Sequence, residues 1–350
     1  MLPRPVTLTR IADLQALGVD TIIDVRSPAE YAEDHLPGAI NLPVLDDDQR
    51  ALVGTIYKQQ SPFAARKLGA ALVAGNAARH LQEALAAKPG GWQPLVYCWR
   101  GGQRSGSLAL ILAQVGWRVS VLQGGWKAWR RLVHATLYEA EFPAPVVVLD
   151  GNTGTAKTAL LAQVGAQGGQ VIDLEGLACH RGSIFGARPE GQPAQKAFES
   201  ALAQTIARLD PARPVLIEAE SARIGALRLP PTLWKAMRRA PRIEITAPLA
   251  ARAQYLARDY ADLVADTDRL AGRIEALSPL HARERIAEWL ELARSCAYVQ
   301  LAAGLMQHHY DPLYRRLRDQ AAPQTRIAAD GLDASALPAI AGQIRAAMAL

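Results

Sequence analysis

Residues 146–164, VVVLDGNTGTAKTALLAQV, pass from an unbroken apolar run through a glycine-bearing loop into a helical period. Strand, loop and helix in that order are one step of a parallel α/β sheet. Gly151, Gly154, Lys157 and Thr158 fit the pattern G-x-x-x-x-G-K-[ST], except that Ala156 stands where glycine precedes the lysine. Such a loop turns the amides of Asn152, Thr153, Gly154, Thr155 and Ala156 toward a di- or triphosphate. Lys157 then neutralises the terminal oxygens and Thr158 reaches a magnesium ion. If position 156 adopts a left-handed backbone, alanine costs on the order of 1 kcal/mol there. The bland alternative is an ordinary strand-to-helix turn.

Working outward, QVIDLE (170–175), PVLIEAE (214–220), PRIEITAP (241–248) and QTRIAAD (324–330) are further strand candidates. Ligands of open α/β sheets bind at the carboxyl ends of strands, where the sequence places Asp173, Glu175, Glu218 and Glu220. Each is a candidate to hold a metal or its waters, and equally a candidate helix cap or ion-pair partner. Between about 249 and 318 apolar residues recur three and four apart, which predicts a helical insertion before the chain returns to its sheet.

Upstream lies a second α/β pattern, with TIIDV (21–25), PLVYC (94–98) and VSVLQG (119–124) alternating with helical stretches such as 66–87. Ser27, Pro28 and Glu30 supply the N-cap, first-turn proline and capping-box acid of a helix. The expected division is a domain at 1–133, a linker at 134–145 carrying Pro143 and Pro145, and a second α/β domain at 146–350.

In the first domain YCWRGGQRSG (97–106) seats a thiol where a buried strand gives way to a glycine loop and a helix. Most free cysteines are small buried hydrophobes. This loop argues otherwise, because inward amides at a helix N-terminus lower a thiol pKa and bind an anion beside it. Gly101 and Gly102 let the backbone curl, Gln103 and Ser105 complete the cradle, and Arg100 and Arg104 are candidates to hold an oxyanion. Cys98 is the candidate nucleophile.

The composition fits a globular protein: 350 residues, 50% hydrophobic and 21% charged. Cys98, Cys179 and Cys296 are too few and too scattered for a disulfide framework or a paired-ligand zinc site. No window approaches the roughly 18 apolar residues of a membrane span, and the start lacks a signal-peptide core, so a cytoplasmic location is expected. The net charge of +6 is uneven. Arg223, Arg228, Lys235, Arg238, Arg239, Arg242, Arg252 and Arg258 face one acid, Glu244, between 221 and 258. That cluster favours a polyanion, with a solvated helix face as the alternative.

DVRSPAEYAEDHLPGAINLPV (24–44), YCWRGGQRS (97–105) and LQGGWKAW (122–129) together resemble the rhodanese domain over residues 8–132. The loop from Cys98 to Arg104 is longer than in ordinary sulfurtransferases of that fold and resembles that of related phosphatases. The resemblance implies room for a phosphate ester or selenophosphate. An inactive module and a phosphatase are the competing readings, the latter without an evident general acid in the loop.

With GNTGTAKT (151–158), LEGLACHRGSIFG (174–186) and EAESARIG (218–225) added, the order of motifs resembles the tRNA 2-selenouridine synthase family over almost the whole chain. The resemblance implies a rhodanese-like domain joined to a P-loop NTPase-like domain. It also implies an activity: a wobble-position 2-thiouridine in tRNA is S-geranylated by geranyl diphosphate and then converted to 2-selenouridine with selenophosphate. Cys98 would take the selenium and carry it as an S-selanyl adduct, with Arg100, Arg104 and the loop amides holding the phosphate. The residues 151–158 would bind the geranyl diphosphate or a nucleotide; the diphosphate released by alkylation favours the former. His180, Arg181 and Ser183 become candidate diphosphate or tRNA contacts, His180 being equally a structural histidine. Arg223, Arg238 and Arg239 become candidate tRNA contacts. Mg2+ is possible, and no covalently bound cofactor or membrane is implied. Two other classes stay open: an ATP-dependent tRNA sulfurtransferase, and a non-enzymatic nucleotide-gated RNA-binding protein with an inert Cys98.

Overall fold

The computed structural model describes residues 2–318 and 325–348. Its contacts divide the chain into two units, Met1–Glu141 with Pro193–Arg208, and Phe142–Gln192 with Leu209–Leu350.

In the first unit, strands β1 (Arg4–Val6), β2 (Thr21–Asp24), β3 (Ala39–Asn41), β4 (Pro94–Tyr97) and β5 (Ser120–Leu122) form a parallel sheet. Their order is β1-β5-β4-β2-β3, so β4 is central, and all four of its residues are buried. Its unbroken apolar run is what a strand covered on both faces requires. Helices α1 (Asp13–Ala16), α2 (Pro28–Glu33), α3 (Asp47–Gln59), α4 (Pro62–Gln82), α5 (Gln103–Val115) and α6 (Gly125–His134) connect these strands. Val73 of α4 and Leu108 of α5 join Ile23 and Val96 of the sheet in one core. Full burial of a side chain such as Leu108 contributes about 1.5–3 kcal/mol. The start of α2 is as the sequence predicts: the Ser27 amide donates to Glu30 Oε2 at 3.1 Å, with Pro28 at the first position.

The stretch 134–145, read from sequence as a linker, continues α6 as a π-turn, Ala135–Glu139, before an irregular passage. Leu137 is fully buried there.

The second unit begins with β6 (Val146–Gly151), α7 (Lys157–Ala166), β7 (Gln170–Ile172) and α8 (Leu174–Ala178). The next helix, α9 (Gln195–Ile206), belongs to the first unit. Trp129 Nε1, on a fully buried indole, donates to Ser200 Oγ at 3.0 Å. Arg130 donates to Glu199 Oε2 at 2.6 Å, and the Tyr138 hydroxyl to Glu199 Oε1 at 2.7 Å.

The chain then returns with β8 (Val215–Glu218), a hairpin of β9 (Arg223–Ile224) and β10 (Leu227–Arg228), α10 (Pro231–Arg239) and β11 (Arg242–Thr246). The helical insertion follows as α11 (Leu249–Asp259), α12 (Ala261–Val264), α13 (Thr267–Glu275), α14 (Arg283–Arg294), α15 (Tyr298–Leu305) and α16 (Asp311–Arg318). It begins at Leu249, and its last described residue is Arg318. A π-turn, Met306–Tyr310, lies between α15 and α16. Strand β12 (Thr325–Ala328) and α17 (Leu337–Met348) close the unit, whose parallel sheet runs β12-β11-β6-β8-β7. Again the glycine loop leaves a central, wholly buried strand, β6, at the point where the strand order reverses.

Candidate active site

Two sites lie at the carboxyl ends of the two central strands. In the first unit Cys98 is 3% exposed, and its sulfur accepts hydrogen bonds from the Gly102 amide at 3.3 Å and the Ser105 hydroxyl at 3.2 Å. Burial works against the thiolate, but the Ser105 hydroxyl and the amides of Ser105, Gly102 and Arg100 outweigh it and hold the thiol below its ordinary pKa. The loop is braced by the glycine-tryptophan motif. The Trp126 amide donates to Cys98 O at 2.8 Å and the Lys127 amide to Trp99 O at 3.1 Å, while the Trp99 and Trp126 rings pack 4.5 Å apart. Gly125, at φ +54°, is required by this approach, since a Cβ there would sit 2.7 Å from the Gly101 nitrogen.

Gln103 and Gly102 are exposed at the start of α5, and Arg100 is exposed on the loop. Arg104, expected to hold an oxyanion, is engaged by a carboxylate of its own unit. Its guanidinium binds Glu30 in a fork, at 2.7 and 3.3 Å. Burial raises the Glu30 pKa, but Arg104 overrides that and holds the carboxyl below its usual range.

Ser105→Ala is expected to move the pH profile of Cys98 alkylation to higher pH, because the largest group favouring the thiolate is removed. Iodoacetamide labelling against pH, read by mass spectrometry, checks this; an unmoved profile would assign the low pKa to the amides alone.

In the second unit Ala156 does adopt the left-handed backbone, φ 58° and ψ 29°, capping α7. The strain of about 1–2 kcal/mol is set against a methyl buried in the core, worth about 0.8 kcal/mol. The two terms are close, which is how alanine is tolerated there. Gly154, at φ +83°, lets α11 approach; a Cβ there would meet Arg252 O at 2.9 Å.

Lys157 Nζ donates to Gly151 O at 3.0 Å and lies 5.9 Å from the Tyr314 ring centroid. Burial opposes its charge, but Tyr314, Glu175, Glu220 and Asp150 outweigh burial and hold its pKa above the ordinary value. The Thr158 hydroxyl is 3.0 Å from Glu175 Oε2 and 3.3 Å from Glu218 Oε2, and Glu218 Oε1 accepts the Glu175 amide at 2.8 Å. Burial raises all three neighbouring carboxyls, and repulsion from Glu175 adds to it at Glu218 and at Glu220, which is pushed up to about 8. Asp173 stands apart from them in role: it caps α8 through the Gly176 amide, at 2.7 Å.

The loop, Glu175, Arg181, Ser183 and Glu220 line one polar cavity. Arg181 borders it but is held by Asp262 at 2.7 Å and lies over the Tyr260 ring. Ser183 Oγ is 3.3 Å from the Tyr260 hydroxyl. His180 does not line the cavity; its Nδ1 accepts the Gly182 amide at 3.1 Å, a structural duty. Arg223, Arg238 and Arg239 are exposed and also outside this lining. Four tyrosines that sequence reasoning missed complete the cavity: Tyr255, Tyr260, Tyr310 and Tyr314. Arg252, counted from sequence in the basic cluster, is instead buried and pairs with Asp311, which sequence reasoning missed, at 2.8 Å; the pair ties the loop down through Thr153 O and Asn152 Nδ2.

A second cavity adjoins the first. The two share Thr153, Leu256, Tyr260 and Tyr310, and the second is otherwise lined by apolar side chains of the helical insertion such as Leu263, Leu301 and Met306.

Residues 144–290 match the family model of the tRNA 2-selenouridine synthase AAA domain, and residues 7–132 that of the rhodanese-like domain. The tRNA 2-selenouridine synthase of Chromohalobacter salexigens is 35% identical, the alignment covering 90% of this chain and 92% of the relative. That of Alcanivorax borkumensis is 34% identical over 84% of this chain and 88% of its own. A solved N-terminal domain of a putative ATP/GTP binding protein from Clostridium difficile 630 aligns with 37% of this chain and 97% of its own, at 38% identity and a TM-score of 0.31. Among the described residues no helix is long and apolar enough to cross a membrane. A thiol in an amide cradle and a phosphate loop on one chain agree with these matches, and the chain belongs to the tRNA 2-selenouridine synthase family.

Proposed function

We propose that the chain S-geranylates a wobble-position 2-thiouridine of tRNA at the phosphate loop and exchanges the resulting geranylthio group for selenium at the Cys98 loop. The observation that carries the reading is the continuity of the polar cavity with an apolar one. A nucleotide base needs polar partners for its edges; an isoprenoid chain needs none, and gains about 0.8 kcal/mol for each methylene buried. Loop amides and Lys157 hold the diphosphate and stabilise the charge that develops as it leaves. In the second step selenophosphate, water and the alkylated base give the 2-selenouridine, geranylthiol and phosphate. Selenium stays at the selenide level, so the Cys98 thiolate acts as the nucleophile that frees it from phosphorus, and water then releases phosphate and the Cys98 thiol.

Mg2+ suits the oxygen donors Thr158, Glu175 and Glu220 in chemistry. Among the described residues no three or more His, Cys, Asp or Glu form a cage for a metal ion. A magnesium ion would therefore rest largely on diphosphate oxygens, supplying charge neutralisation.

Calorimetric titration tests the assignment of the donor. Geranyl diphosphate is expected to bind at least about tenfold tighter than inorganic diphosphate, because the chain buries apolar surface. Equal affinities, or tighter binding of ATP, would turn the site into one for nucleotides.

Arg238 and Arg239 extend into solvent at the end of α10 and are proposed to meet the tRNA backbone. Reversing both to Glu is expected to weaken tRNA binding and to flatten its salt dependence, the log–log slope falling by about 0.7–0.9 for each phosphate no longer neutralised. Melting temperature and geranyl diphosphate binding should not change. A lowered melting temperature with an unchanged slope would make them helix caps instead.

A further inference from the structure

A groove in the first unit, open to solvent between α3, α4 and α5, borders the cysteine loop and has been given no role above. Leu45 and Val73 of the core, with Val53, form its floor. Tyr57 and Leu110 stand at its sides, 57% and 43% exposed, in a chain whose large apolar side chains are mostly buried. Concave apolar surfaces with a few placed polar groups are the usual form of ligand sites.

The groove reaches the cysteine loop. On α5, Gln103, Gly106, Ser107 and Leu110 recur three and four apart and border it as one helix face. Ser105, between them in sequence, points the other way, its hydroxyl on the Cys98 sulfur. Arg104 also lines the groove, but Glu30 neutralises it, so this is no anion site. Exposed Arg66 lines it too and offers one charge to a polyanion.

We propose that this groove seats the isoprenoid chain of the S-alkylated tRNA base while its sulfur is exchanged at the Cys98 loop. The inference rests on the two-step reading. The first product carries a hydrocarbon chain, and the second step brings that base to Cys98 with the chain attached. An apolar groove continuous with the loop keeps the chain out of water, each methylene buried being worth roughly fourfold in affinity. Arg66 meets a phosphate of the same RNA.

Ala70 is exposed on α4 and lines the groove, so Ala70→Trp fills it without disturbing the core. The test compares selenation of anticodon stem-loops bearing S-geranyl- or S-methyl-2-thiouridine by the full chain, with selenophosphate supplied. Wild type is expected to prefer the S-geranyl substrate. Ala70→Trp, and independently Leu110→Asp, should reduce kcat/KM at least tenfold on S-geranyl RNA and less than twofold on S-methyl RNA. Geranylation and Cys98 labelling should be unaffected. No reduction, or an equal reduction on both substrates, overturns the groove assignment, the latter outcome marking a structural or protein-docking role. Wild type that selenates 2-thiouridine RNA directly and leaves S-geranyl RNA untouched overturns the two-step reading instead, and the groove assignment with it.

Discussion

Cys98→Ser is expected to abolish selenium incorporation, by on the order of a thousandfold or more, while geranylation continues. The cradle around position 98 is built to hold a thiolate: the Ser105 hydroxyl and three amides converge on the sulfur. A serine hydroxyl in the same cradle stays protonated, because its pKa lies far above any the amides can bring into range. The substitution is nearly isosteric, and the braces from Trp126 and Lys127 act on backbone carbonyls, so the fold should persist. Mass spectrometry of the wobble nucleoside from cells carrying the variant reads the outcome. S-geranyl-2-thiouridine should accumulate in place of 2-selenouridine. Undiminished 2-selenouridine would remove Cys98 from the mechanism.

Lys157→Ala should show the opposite pattern. Geranyl transfer is expected to fall by about a hundred- to a thousandfold, the usual consequence of removing one preorganised charge from a developing anion. The neighbouring carboxyls soften the effect rather than enlarge it. With Lys157 gone, Glu175 and Glu220 lose the cation that now draws their pKa down, so both shift further toward the neutral form and repel the diphosphate less. Cys98 should label with iodoacetamide as in wild type. Single-turnover geranylation of a 2-thiouridine stem-loop measures the change, and full activity would refute the donor assignment for residues 151–158.

Both central strands are legible in the sequence because a strand buried on two faces needs an uninterrupted apolar run; PLVY and VVVL are such runs. The two loops are legible because short-range backbone geometry dictates their glycines and capping positions. What cannot be read there depends on interactions between distant parts of the chain. Arg104, expected on an anion, is taken by Glu30, 74 residues earlier. Asp311 reaches Asn152 across 159 residues. Tyr310 and Tyr314 show only helical spacing, and nothing local says that they face the phosphate loop. The apolar cavity is likewise hidden, since its lining has the period of any helical core. His180 has two readings of equal standing in the sequence, and its bond to the Gly182 amide favours the structural one.

Helix α9 has a consequence for synthesis on the ribosome. It completes the first unit, yet it emerges only after residues 142–192, which belong to the second. At bacterial elongation speeds of about 5–20 residues per second, Trp129 and Arg130 wait several seconds for Ser200 and Glu199. Meanwhile the nascent chain carries an unfinished N-terminal unit and the first two strands of the next one, β6 and β7. The ordinary order, in which an amino-terminal domain closes before its successor begins, is closed to this chain.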